Sequence, residues 1–472
     1  MNTRIRNLFG LVVLLFGVLI GFTSYWSVFD ADELEANPAN KRPLLEEQQI
    51  RRGLILAQDG TVIARNRGKG RAPRFYERVY PQGELFGHPA GYSFVERGRV
   101  ALEREYNDEL TGKHDEFHTL FDELRGRERE GDDIVTTLDP GAQRTAVSAL
   151  GGRAGAIVAI EPTSGRVRTM VSVPGYDPNS IVERFSDLRR APGSPLLNRT
   201  VQSGYPPGST FKVVTATAAL DSGRYTPQSV VDGKSPKEIG GVPLTNFGGE
   251  SFGQVSLTDA LTHSVNTVWG TVGEKVGKRT LYSYMRRYGF NRKPLLDLPR
   301  DEMRASGVFD SDGDLLRVSD AVDIGRVAIG QERLQVTPLQ MALVPAAIAN
   351  GGSLMRPHLV QQVRDRDGRV VRRVKPSEQS EVMKPSTAAA LAGMMSKVVE
   401  EGTGTAAALE GIQVAGKTGT AEVGTLNQAW FIAFAPVQRP RVAIAVTVER
   451  TAGQGGTIAA PIAKQVMQEL LR

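Results

Sequence analysis

The sequence predicts a membrane-anchored protein of the mixed α/β class: one apolar helix, a small irregular domain, and a larger domain whose sheet is closed by the C-terminus. Three observations carry this. Leu8 to Phe29 contains no charged residue. Apolar strand patterns follow one another at AGAIVAIEP and RVRTMVSVP, around a Thr163-Ser164-Gly165 turn, and again near the end at QAWFIAFAP and RVAIAVTVE. The long stretch between these pairs is mostly helix and loop, and strands at both ends with helices between them fit one sheet covered by helices. A chain of 472 residues, 40% hydrophobic and 23% charged, has room for two or three domains with a sizeable core, which excludes disorder and a polytopic membrane protein.

At about 1.5 Å per residue, Leu8–Phe29 is long enough as a helix to cross a hydrocarbon core of about 30 Å. Arg4 and Arg6 precede it, and Asp30, Asp32, Glu33 and Glu35 follow. The positive-inside bias then places residues 1–7 in the cytoplasm as a short tail, 8–29 in the cell membrane, and the rest outside as a single-pass protein. Tyr25 and Trp26 fall where an interfacial aromatic belt belongs. The alternative, a cleaved signal peptide, fits less well: the apolar stretch exceeds an h-region of about 7–15 residues and no clear small-residue cleavage site follows.

Residues 30–131 are polar and Gly-rich, with short strands at Leu54–Leu56 and Thr61–Ala64 around an Asp59-Gly60 turn. The larger domain, 132–472, opens with the strand of DDIVTTLDP and a helix from Pro140 to Leu150, where proline suits the first turn. Gln335 to Asn350 reads as a helix with Pro338 in its first turn and Asn350-Gly351-Gly352 at its end, and Ile458 to Leu471 as a closing helix.

Composition also limits the chemistry. Without cysteine there is no disulfide, thiolate nucleophile or Cys-ligated metal. The net charge of +6 is scattered, with short clusters such as Arg67 to Arg74, and does not indicate nucleic-acid binding. His114-Asp115-Glu116-Phe117-His118 spaces two imidazoles as a zinc protease does, but Asp stands where the catalytic Glu belongs. Asp310-Ser311-Asp312-Gly313-Asp314 resembles a calcium loop with its glycine misplaced and Ala321 where a bidentate Glu is required, so a solvated turn accounts for it better. No metal or cofactor is expected.

Ser209-Thr210-Phe211-Lys212 follows the turn Tyr205-Pro206-Pro207-Gly208 and precedes the helix-compatible run VVTATAAL. Serine and lysine three apart on a helix share a face. At a helix N-terminus the unpaired N–H groups favour an alkoxide or oxyanion, and a desolvated lysine near another cation has a lowered pKa and can act as general base. An N-cap serine beside a solvated lysine is the ordinary alternative. Ser264-Val265-Asn266 lies in the helical-looking stretch SLTDALTHSVNTVWG, where a polar pair at a helix end is the ordinary alternative. Lys417-Thr418-Gly419-Thr420 precedes the last two strands. Either it is a plain hairpin edge, or it offers a cation, two hydroxyls and an N–H to a carboxylate-bearing peptide laid alongside as an added strand.

Together, Ser-x-x-Lys, Ser-x-Asn and Lys-Thr-Gly resemble the motif set of penicillin-binding proteins and serine β-lactamases. The likeness extends to NRTVQSGYPPGSTFK (198–212), IGQERLQVTPLQMALVPAAIANGG (329–352), Gly402 to Thr405 and AWFIAFAP (429–436). It also takes in Arg51-Arg52-Gly53, Tyr80-Pro81 and Gly91-Tyr92, as in the N-terminal pedestal of class B, monofunctional enzymes, here of the short actinobacterial penicillin-binding protein A type. The resemblance implies a penicillin-binding transpeptidase fold, with a mainly antiparallel five-stranded sheet flanked by helices on a dimerisation-like pedestal. It implies a peptidoglycan D,D-transpeptidase in which Ser209 attacks the penultimate D-Ala carbonyl of a stem pentapeptide and Lys212 takes its proton. Ser264 relays a proton to the leaving nitrogen beside Lys417, and Asn266 bonds the substrate amide. The N–H groups of Ser209 and Thr420 flank the oxyanion, the Thr418 and Thr420 hydroxyls hold the terminal carboxylate, and Gly419 completes the strand. Val265 stands where Asp is more familiar. The implied partners are stem peptides, β-lactams, the membrane and a glycosyltransferase of the shape, elongation, division and sporulation family.

Within this chemistry, no Glu-x-x-Leu-Asn element for fast deacylation is found, which speaks against a β-lactamase. The segment between anchor and larger domain is too short for a glycosyltransferase domain. A D,D-carboxypeptidase and a catalytically silent cell-wall scaffold remain as alternatives.

Overall fold

The computed structural model describes residues 2–29, 45, 47–69, 75–113 and 130–472. Asp30, Asp32, Glu33 and Glu35, the His114–His118 segment, and Arg71 and Arg74 of the basic cluster lie outside the described residues. The N-terminal helix α1 (Asn2–Ser24) continues into a wider turn at Tyr25–Phe29. Its span Thr3–Ser27 has a mean hydropathy of 2.2 and none of it is buried in the protein, so it is long and apolar enough to cross a membrane.

Beyond α1 the chain forms β1 (Ile55–Leu56), β2 (Val62–Lys69), β3 (Phe75–Val79), β4 (Asp133–Thr136), α2 (Pro140–Leu150), β5 (Gly155–Ile160) and β6 (Val167–Val173). The main helices that follow are α3 (Lys212–Asp221), α4 (Asn266–Val276) and α5 (Pro338–Ala349). Then come β7 (Val360–Arg364), β8 (Val370–Arg373), α6 (Pro385–Glu400), β9 (Ala415–Val423), β10 (Leu426–Ala435), β11 (Val442–Thr451) and α7 (Ala460–Leu471).

Two sheets organise the molecule. The first, of six strands, runs β8-β7-β4-β1-β2-β3, with β1 and β4 parallel. The expected boundary at 131/132 therefore falls between strands of one sheet, because β4 and the hairpin 360–373 from far along the chain complete it. That hairpin closes where Asp365 Oδ1 accepts from Asp367 N and Arg369 N beside Gly368 at φ +80°.

The second sheet, β9-β10-β11-β5-β6, is antiparallel throughout. Along β10, Trp430, Ile432 and Phe434 face one hydrophobic cluster while Phe431 and Ala433 face the other. Helices cover both faces, which is why these strands read as continuous apolar runs. α5 lies on the first side, buried along nearly its whole length and capped by Thr337, whose side chain accepts from Gln340 N. α2 and α7 cover the second side with Ala146, Leu150, Ile462 and Val466. The pairing leaves β9 at the edge.

The small domain buries an ionic cluster beside apolar side chains such as Ile55, Ile63, Phe86, Leu102 and Leu110. Glu103 is fully buried and accepts from Arg78 Nε at 2.6 Å, Arg52 Nη2 at 3.0 Å and the Tyr80 hydroxyl at 3.1 Å. Burial alone pushes its pKa up, but the two guanidiniums outweigh this and hold the carboxyl below its ordinary value. The two domains are joined by polar contacts: Tyr80 N donates to Asn179 Oδ1 and Asn179 Nδ2 to Tyr80 O, both at 2.9 Å. Tyr106 also donates to Asp297 at 2.9 Å.

Removing Glu103 leaves the buried Arg78 guanidinium without its counter-ion and Arg52 with Glu47 alone, a loss of about 3–5 kcal/mol. Glu103→Gln should lower the melting temperature measured at pH 7. Because its folded pKa is depressed, the contribution is present above the unfolded carboxylate pKa and fades on acidification, so the gap to wild type should narrow toward pH 3.

Candidate active site

The predicted residues converge where three elements meet: the turn before α3, the break before α4, and the edge strand β9. Ser209 lies in a 3-10 turn, Gly208–Phe211, that runs into α3. Backbone and side-chain bonds fix this turn from three sides. Tyr205 and Val336 exchange N–H···O bonds at 2.9 Å, Gly208 N donates to Gly330 O at 3.0 Å, and Trp430 Nε1 donates to Pro206 O at 3.0 Å. The approach is too close for side chains. A Cβ on Gly330 would sit 1.9 Å from Gly208 O, and one on Gly419 would sit 2.7 Å from Pro207 O. Gly419 thus lets β9 lie directly against the serine turn.

Ser264 does not lie inside a helix as expected. The helix Leu257–Thr262 ends, Ser264 takes a left-handed conformation at φ +60°, and α4 restarts at Asn266. Such a conformation costs a non-glycine residue about 1–2 kcal/mol. It turns both oxygens of Ser264 toward Lys212, whose Nζ donates to Ser264 O at 2.6 Å, Ser264 Oγ at 3.1 Å and Asn266 Oδ1 at 2.7 Å. Lys417 approaches the same hydroxyl from β9: its Nζ donates to Ser264 Oγ at 3.0 Å and to Thr418 O at 3.0 Å. Both lysines are fully buried.

Burial therefore dominates their ionisation. Desolvation lowers the Lys417 pKa to about 7. It lowers that of Lys212 well below the ordinary lysine value, and the neighbouring Lys417 charge adds to the effect. The position of Lys212 at the positive end of α3 acts in the same direction. Both shifts favour loss of a proton from the pair, and a neutral Lys212 would keep two N–H donors, enough for Ser264 O and Asn266 Oδ1, leaving Ser264 Oγ to Lys417.

The two threonines of the edge strand are engaged on this protein's own groups. Thr418 Oγ1 shares a 2.6 Å hydrogen bond with Thr403 Oγ1, and Thr420 Oγ1 accepts from Gly455 N at 3.2 Å. Thr403 and Gly455 were not singled out in the sequence as site residues. Thr403 lies within the Gly402–Thr405 segment, but one threonine in a glycine turn carries no chemical signal of its own. Ser209 is half-buried.

Residues 155–468 match the penicillin binding protein transpeptidase domain, and residues 52–134 the penicillin binding protein A dimerisation domain. The chain belongs to the penicillin-binding proteins. It is 35% identical over 500 residues to the peptidoglycan D,D-transpeptidase PbpA of Mycolicibacterium smegmatis, covering 100% of this chain and 99% of that one. Against penicillin-binding protein A of Mycobacterium tuberculosis in a ceftriaxone acyl-enzyme complex, the TM-score is 0.83 at 33% identity, covering 91% of this chain and 100% of that one. The penicillin G acyl-enzyme complex of the same protein gives 0.80 at 34% identity, covering 89% and 100%. The family, its class B pedestal and the five-stranded sheet agree with the sequence-based expectation.

The lysine pair makes a definite prediction for pH. Acylation by a penicillin should fall on the acid side as Lys212 gains a proton, and on the alkaline side as Lys417 loses its own, with the alkaline limb starting from about 7. Stopped-flow acylation rates from pH 5 to 10 test this; a flat profile contradicts it. Gly330→Ala, at φ +79° and with no room for a methyl group, should destabilise the protein and slow acylation by displacing the Ser209 turn.

Proposed function

We propose that this protein is a peptidoglycan D,D-transpeptidase working through a serine acyl-enzyme, with Ser209 as nucleophile. The observation that carries the site assignment is the convergence of Lys212 Nζ and Lys417 Nζ on Ser264 Oγ, beside the helix start that bears Ser209. Neutral Lys212 takes the Ser209 proton as Oγ attacks the penultimate D-Ala carbonyl. The tetrahedral oxyanion lies against the N–H groups of Ser209 and Thr420. As the C–N bond breaks, a proton reaches the leaving D-Ala nitrogen through the Ser264 hydroxyl, which Lys417 and Lys212 both touch. The amine of a second stem peptide then attacks the ester and regenerates the serine, leaving a cross-link. A β-lactam follows the first half of this path and stops at the acyl-enzyme.

Asn266 is assigned to the substrate amide, and Thr418, Gly419 and Thr420 to the strand along which the peptide lies. The free edge of β9 supports this, since an extended peptide can add there as a further strand. The terminal carboxylate then lies near the charge of Lys417. Residues 30–131 are assigned to the pedestal, 132–472 to the transpeptidase domain, residues 8–29 to the membrane anchor and 1–7 to a cytoplasmic tail. The anchor and pedestal are the surface assigned to a membrane glycosyltransferase of the shape, elongation, division and sporulation family.

Intact mass after exposure to penicillin G should show one slowly lost adduct on wild type and none on Ser209→Ala. Lys212→Ala should slow acylation at least about a hundredfold. With a stem-pentapeptide donor, added amine acceptor should divert the acyl-enzyme into cross-linked product. Release of D-Ala without any cross-link would favour a carboxypeptidase, and a folded wild type that takes no adduct would favour a scaffold.

A further inference from the structure

We propose that Asn246 is a positioning residue for acylation: through the loop 245–250 it holds Asn266, and with it Lys212, in the arrangement described above. This rests on the roles assigned to Asn266 and Lys212. The Asn266 side chain is held at both ends. Its Oδ1 accepts from Lys212 Nζ at 2.7 Å, and its Nδ2 donates to the backbone carbonyl of Thr245 at 3.0 Å. The second bond orients the amide, because rotating it would aim the NH2 group at the lysine.

The Thr245 carbonyl is only as well placed as its loop, and the loop has a single inward-facing anchor. Between Leu244 and Phe252 only Asn246 is buried, at 4% exposure, while Phe247 is 73% exposed and Gly248 and Gly249 take positive φ. Apolar packing therefore does not fix this segment; hydrogen bonds do, from Asn246 N to Ser235 Oγ at 3.0 Å and above all from the Asn246 side chain. Its Nδ2 donates to Gly233 O at 3.0 Å and to Glu250 O at 2.9 Å, closing the loop on itself. Its Oδ1 accepts from Thr267 N at 3.0 Å, satisfying one of the free N–H groups in the first turn of α4, next to Asn266. One buried amide thus ties the loop to the helix start, and the neighbouring carbonyl transmits that register to Asn266. Truncating Asn246 leaves Glu250 O and Thr267 N to find new partners, leaves Gly233 O with Phe252 N, and frees Thr245 to move away.

A double-mutant cycle on the full-length protein separates this role from a general structural one. Second-order acylation rates by penicillin G are measured for wild type, Asn246→Ala, Asn266→Ala and the double variant, with melting temperatures alongside. Asn246→Ala should slow acylation about tenfold in wild type and less than about twofold in the Asn266→Ala background, since its effect passes through Asn266. Asn246→Asp keeps the acceptor for Thr267 N but not the two donors. It should give an intermediate rate, and it carries the same cycle if the alanine variant does not fold. Equal slowing in both backgrounds overturns the proposal, as does no slowing in wild type while Asn266→Ala remains slow. An unchanged rate in Asn266→Ala overturns the role given to Asn266, and the proposal falls with it.

Discussion

Two buried ammonium groups cannot share one hydroxyl and both keep their charge, and this constraint governs the site. Lys212 and Lys417 reach Ser264 Oγ at 3.1 and 3.0 Å from opposite elements, both withdrawn from water. Desolvation penalises each charge and mutual repulsion penalises the second one further. The low-energy arrangement is one neutral amine and one cation. Such a pair is what acyl transfer requires: a base to activate a serine, and a positive centre for an anionic substrate terminus. The acyl transfer proposed above thus draws on both lysines being buried around a common acceptor.

Holding them there makes demands on the backbone. Ser264 can offer its carbonyl and hydroxyl to the same ammonium only by leaving the helical region, so the helix is interrupted at a residue in the left-handed region. Lys417 can reach Ser264 only if β9 packs tightly on the serine turn, and Gly208, Gly330 and Gly419 supply that closeness. Because β9 is also the sheet edge, one side of it is fixed against the catalytic turn while its outer edge stays unpaired within the sheet. Packing and function meet in one strand.

Much of this was readable from the sequence. The strands β5, β6, β10 and β11 show as apolar runs because both faces of their sheet are covered, and α2 and α5 announce themselves through Pro140 and Pro338 in their first turns. The serine, lysine and glycine motifs name residues from distant parts of the chain that the fold brings together, because their side-chain types mark them out. What was not readable depends on long-range geometry. The break at Ser264 lies in a stretch with ordinary helical composition, and only its tertiary contacts with Lys212 explain the turn. The hairpin 360–373 joins a sheet whose partner strand β4 lies more than two hundred residues earlier, a pairing that no local pattern announces. Asn246, with three side-chain hydrogen bonds, and Thr403, with one, are held by polar contacts that leave no periodicity behind.

The two charged centres of the molecule respond to acid in the same direction, for opposite chemical reasons. In the pedestal, Glu103 is stabilised as an anion, so its contribution exists above the ordinary carboxylate pKa and is lost as the group protonates. In the active site, Lys417 is held neutral more readily than in the unfolded chain, so the fold binds fewer protons than the unfolded state between about 7 and the ordinary value of 10.5. Stability from that residue therefore declines as pH falls through this interval and levels off below it. The catalytic centre gives up stability near neutral pH, and the pedestal supplies it until the pH is far lower. The Tyr80–Asn179 and Tyr106–Asp297 contacts join the two domains, so the strained site is carried on a base whose own ionic core is intact throughout the range in which the lysines change charge.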